Sequence, residues 1–158
     1  MAAPTLRQLA LKAGYIFAGT VVSVRKIPPA GPYGVATMQV SLRVDQAIRG
    51  VKFGQVIAIR EWIGLWSGGV DRYRPGEQML LFLYGRSKLG LTSPVMGSFG
   101  RFEIDSGGEV VLEAARVAAL TRDPMLKIPL RGIPQRSSTT VGARDFRRAV
   151  IRAMEDER

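Results

Sequence analysis

A chain of 158 residues with 46% hydrophobic and 23% charged residues has the size and composition of one globular domain around a single core. It carries a net charge of +10 and neither cysteine nor histidine, which excludes disulfides and thiolate chemistry and removes both the commonest metal ligand and the usual acid/base group near neutral pH. No run approaches the ~18 apolar residues of a membrane span, so a soluble domain is expected.

Glycine and proline, at 18 and 9 residues, favour short strands and tight turns over a helix bundle. Thr5-Leu6-Arg7-Gln8 fits a capping box, and Leu6, Leu9, Ala10 and Ala13 follow at helical spacing, with Gly14 placed to supply a left-handed stop. Tyr15 to Ile27 is rich in strand formers, but Phe17 and Val21 have one parity and Val22 and Val24 the other. A bulge near the middle reconciles them. Met38, Val40, Leu42 and Val44 alternate with Gln39, Ser41, Arg43 and Asp45, the pattern of a strand with one dry and one wet face.

Gly50 and Gly54 bracket a turn before a strand over 55–62, and Pro75-Gly76 forms the centre of a type II turn before Met79 to Tyr84. That strand is apolar on both sides, so the terminal helices are expected to cover its second face. Phe102 and Ile104 alternate with Arg101, Glu103 and Asp105, and Ser106-Gly107-Gly108 turns the chain into Val110 to Leu112. From 114 to 141 the pattern loosens into a winding basic segment with Pro124, Pro129 and Pro134. A final helix over about 142–155 buries Phe146, Ala149, Val150, Ala153 and Met154, with Val141 stapled to Phe146 and Arg144, Arg148 and Arg152 turned to solvent.

These elements predict one mainly β domain over 1–158: a small closed OB-type β-barrel of five to six strands, core about 15–113, with a short N-terminal helix and a C-terminal helix. The stretches "GYIFAGTVVSV", "RVDQAIRG", "YRPGEQMLLFLY" and "GLTSPVMGSFGRFEID" resemble a family of uncharacterised secreted bacterial proteins. The barrel of that family is similar to the tissue inhibitors of metalloproteinases and to netrin-like modules. The resemblance implies an OB-type barrel and an extracytoplasmic, periplasmic or secreted, location, although the start Met1-Ala2-Ala3-Pro4-Thr5 has no signal-peptide pattern. Those inhibitors chelate zinc through an amino-terminal cysteine, which this chain lacks, so inhibition by that mechanism is excluded.

Catalytic patterns fare poorly. Ser23 and Lys26 match S-x-x-K, but the motif works on a helix and these residues fall on an expected strand. Glu103 and Asp105 beside Arg101 make a solvated face, and no glycine pattern cradles phosphate. The hydroxyls of Thr92 and Ser93, within the Gly90 to Gly97 stretch, are assigned to backbone bonding in a buried turn. An enzyme is not expected, and no cofactor or metal is assigned. The leading expectation is a protein-interaction module of unknown partner; the alternative, a nucleic-acid or polyanion binder, fits the charge but lacks a stacking ring on the wet face of strand two. The final helix is expected to dock on the barrel instead of lying on a membrane.

The stretch "EWIGLWSGGVDRYRPGEQ", 61–78, holds both tryptophans. Trp62 ends a strand and is expected to cap the core, whereas Trp66, with Arg72, Tyr73 and Arg74, forms the candidate interaction surface. For Trp66, core cover competes with this reading and is favoured over it.

Overall fold

The computed structural model describes residues 3–66, 72–123, 126, 128–132 and 138–155. Ser67-Gly68-Gly69, Pro124 and Pro134 lie outside the described residues. Helix α1 (Leu6–Lys12) opens with the expected capping box: the Gln8 amide donates to Thr5 Oγ1 at 3.2 Å and the Thr5 amide to Gln8 Oε1 at 2.8 Å. Its stop differs from expectation. The cap is Ala13 in extended conformation, and Gly14 serves close approach, because a Cβ there would lie 2.8 Å from Gly85 Cα.

Strands β1 (Tyr15–Ile27), β2 (Thr37–Arg49), β3 (Val56–Trp62), β4 (Gln78–Leu83), β5 (Arg101–Ile104), β6 (Glu109–Glu113), β7 (Arg131–Gly132) and β8 (Ser138–Gly142) form one antiparallel sheet, ordered β3-β2-β1-β4-β5-β6-β8-β7. The parity conflict in β1 is resolved by three register shifts against β2, after Ile16, Ala18 and Val21. Gly76 has φ +90°, the left-handed position that a type II Pro-Gly turn requires.

The core has two layers, divided by β1 and β4. On one side Ile16, Leu80, Phe82 and Phe102 pack with Leu6 and Leu9 of α1 and with Phe146 and Val150 of α3 (Ala143–Glu155). On the other, Phe17, Val40, Leu42, Ile59, Met79 and Leu81 fill the trough of the curled sheet. The doubly apolar β4 strand is therefore covered by the terminal helices, as its composition predicts. Arg49, at the end of β2, fastens α1 to the sheet by donating from Nη1 to the carbonyls of Ala10 and Ala13 at 2.6 and 3.0 Å.

Two expectations need correction. The 114–141 segment is not simply winding: it holds helix α2 (Ala114–Leu120) and strands β7 and β8, with β8 paired to β6 from Glu109↔Gly142 to Glu113↔Ser138. The expected closed barrel of five to six strands is also replaced by a larger sheet. Among the described residues no strand ladder joins β3 to β5, and β6, β8 and β7 continue the sheet past β5. The 84–95 connection reaches the outer edge of β3 instead. Thr92 N–H donates to the Arg60 carbonyl at 2.9 Å and Arg86 Nη2 to the Ala58 carbonyl at 3.1 Å, so an unpaired edge is capped without a strand.

Candidate functional site

Period-two geometry sends Ile57, Ile59 and Glu61 of β3 inward and Val56, Ala58, Arg60 and Trp62 outward. A carboxylate therefore enters the trough, fully buried. Its oxygens are satisfied from the connection that follows: Arg72 donates from Nε to Oε1 at 2.8 Å and from Nη2 to Oε2 at 3.1 Å, and the Trp66 indole N–H donates to Oε1 at 3.1 Å. The bidentate pairing is the strong form of a charge-assisted bond. It raises the Arg72 pKa above the ordinary value, with burial opposing.

Tyr73 lies next to this pair, 2% exposed, with its ring centroid 6.0 Å from that of Trp66 and the Arg101 guanidinium 4.9 Å above its own. Its hydroxyl is near Glu61 but outside hydrogen-bond geometry. Burial first, and the Glu61 charge second, push the phenol well above its usual pKa. Glu61, Arg72, Tyr73 and Arg101 thus span the gap between β3 and β5 that no ladder closes.

The candidate interaction residues consequently divide. Trp66 is half-buried against the trough core, Arg72 is paired and Tyr73 is buried. Arg74 stays at the surface, its amide donating to Glu77 Oε1 at 2.6 Å. Trp62 departs from the core-capping place expected for it. Trp62, one residue beyond the inward-facing Glu61, points outward and is 51% exposed, its ring lying over Gly64, where a Cβ would come within 2.4 Å of it. The missed residue is Glu61, and its signal was available in the alternation of Ile57 and Ile59.

Beside the Glu61 cluster a cleft of about 460 Å³ is lined by Arg72, Arg101 and Arg116 and by Glu77, Glu103 and Glu113. It forms where β5 and β6, bridged only at Ile104↔Val110, diverge. Arg116 of α2 fills the divergence: it donates to the Phe99 carbonyl and, at 3.0 Å, to that of Arg101, and stacks 3.9 Å from the Phe102 ring centroid. Burial lowers its pKa to about 10. Both signs of charge line the cleft in equal number, and its arginines are engaged in holding β3, β5 and α2 together.

The motifs set aside in the sequence stay aside. Ser23 and Lys26 are exposed on β1, Glu103 is exposed, and Asp105 accepts the Gly107 and Glu109 amides in the turn before β6. Thr92 is buried and its hydroxyl donates to the Tyr84 carbonyl. Among the described residues no helix is long and apolar enough to cross a membrane. No family model, curated protein or solved structure matches this chain.

Proposed function

We propose that the chain is a non-enzymatic binding module of the OB type that engages a protein partner outside the cytoplasm. The strand order β3-β2-β1-β4-β5, with β1 central and the trough wrapped around a core, supports the OB type. The extracytoplasmic setting rests on the family resemblance.

The observation that carries the binding role is an exposed apolar patch at the end of β3. Thr37↔Trp62 pairing and the bond from Ile63 N–H to the Ala36 carbonyl, 3.1 Å, set the 35–37 stretch beside Trp62. Val35, Trp62 and Leu65 are all exposed there, and Tyr33 projects from the β1–β2 connection with 98% of its surface free. In the next row of the same sheet face, Arg25 and Arg60 flank Gln39. An exposed aromatic beside arginines is the composition of a protein-binding hot spot.

The test is affinity capture with wild-type and Trp62→Ala chains of equal thermal stability. Retention of a partner by the wild type and its loss from the variant supports the proposal. Equal retention by both moves the interface elsewhere, and retention by neither removes the protein-binding role.

A further inference from the structure

The other end of β2 and β3 carries a second surface of different chemistry. A cleft of about 490 Å³ lies between Asp45 to Ala47 of β2, the turn that leads to β3, and the start of α3. Arg144, Arg147 and Arg148 line it, and all three are exposed. Their i, i+3, i+4 spacing sets them along one side of the helix, while Phe146, Ala149 and Val150 are buried on another. Docking of that apolar face fixes the rotation of α3, and with it the direction in which the arginines project.

The positive charge is not balanced locally. Arg148 comes no closer than 3.8 Å to Asp145, and Asp45 is engaged by Arg43 Nε at 3.0 Å. Arg144 and Arg147 make no ion pair among the described residues. Arg144 lies in the first turn of a 13-residue helix, where the backbone dipole is itself positive and disfavours cations, and Arg147 and Arg148 follow in the second. Phe53, on the facing turn beside exposed Lys52, is 80% exposed. A folded domain gains nothing from this combination; an anionic polymer that also offers flat faces would gain from both parts of it.

We propose that the cleft between α3 and the β2–β3 turn binds single-stranded nucleic acid, with phosphates on Arg144, Arg147 and Arg148 and a base stacked on Phe53. A sulfated sugar chain would match the arginines but offers the ring no planar π face to stack on, and a bilayer would need an apolar rim broader than one side chain. This surface is separate from the Trp62 patch, so the two readings fail independently.

The experiment measures binding of the full chain to a fluorescent mixed-sequence oligonucleotide of about 15 nucleotides, a size within the usual footprint of such sites. An abasic strand of the same length, heparin and vesicles of phosphatidylcholine with phosphatidylserine are the comparison probes. Phe53→Ala is expected to weaken the mixed-sequence strand roughly tenfold and to leave the abasic strand unchanged. The double change Arg144→Ala with Arg147→Ala is expected to reduce the slope of log affinity against log salt by about 1.4, at about 0.7 per phosphate contact. Trp62→Ala should bind nucleic acid as the wild type does. Thermal midpoints of all variants are compared to show that each is folded. The proposal is overturned by an unchanged salt slope, by an equal effect of Phe53→Ala on both strands, or by binding confined to heparin or to vesicles.

Discussion

Glu61 and Arg72 meet through two hydrogen bonds of 2.8 and 3.1 Å, with the carboxylate fully buried and the guanidinium at the rim of the cleft. Glu61 is the penultimate residue of β3 and Arg72 lies within the β3–β4 connection, so the pair ties that connection over the trough. Arg72→Ala should cost about 3–5 kcal/mol, because it leaves a buried carboxylate with the Trp66 indole as its remaining donor. Combining it with Glu61→Leu should recover much of that loss, since the lone charge is removed with its partner. Urea titration of both variants checks this; equal destabilisation by the single and the double change would show that the ion pair itself holds the connection.

The two tryptophans should behave differently. Trp66→Ala is expected to lose about 2–4 kcal/mol, through lost packing against the trough and a lost donor to Glu61. Trp62→Ala, at a half-exposed position, should stay within about 1 kcal/mol of wild type. Differential scanning calorimetry separates the two.

Tyr73 should give the protein an alkaline limb. The folded-state pKa of its phenol is raised, so the folded protein holds the proton more tightly than the unfolded chain. Its contribution is full below the unfolded value of about 10 and falls as pH climbs above that. Arg116, lowered to about 10, works in the reverse sense, with stability rising as pH passes from its folded value toward its unfolded one. Tyr73→Phe should therefore leave stability near pH 7 equal to wild type or higher by up to about 1 kcal/mol, given a buried hydroxyl without a hydrogen bond, and should lessen the loss between pH 10 and 11. Melting curves across that range would contradict this if the two proteins fell in parallel.

The final helix offers a matched pair of substitutions. Phe146→Ala should cost about 2–4 kcal/mol, since the ring is fully buried with its centroid 4.9 Å from that of Phe102. Arg148→Ala should change stability by less than about 0.5 kcal/mol, because its side chain is 70% exposed and its contact with Asp145 is long. Chemical denaturation reports both, and a large loss for Arg148→Ala would mean that the basic face is packed.

What the sequence determined by itself is much of what near neighbours in the chain set. The Thr5–Gln8 box, the Pro75-Gly76 turn, the alternation in β2 and the apolar face of α3 depend on spacings of a few residues, and each formed as its local chemistry required. The doubly apolar β4 even announced that helices would cover it. Strand β8 was hidden because Ser138 to Gly142 becomes a strand only beside β6, with α2 between them in sequence. The cluster around Glu61 was hidden in a similar way. The parity of β3, carried by Ile57 and Ile59, turned Glu61 inward, but that the Trp66 indole and Arg72 of the following connection donate to its carboxylate was set by the fold. Likewise, Phe53 and the α3 arginines lie far apart in the chain, and the docking of α3 beside the β2–β3 turn made one surface of them. Tertiary structure decided these points because burial and cross-strand register are properties of what lies opposite a residue, which spacing along the chain does not encode.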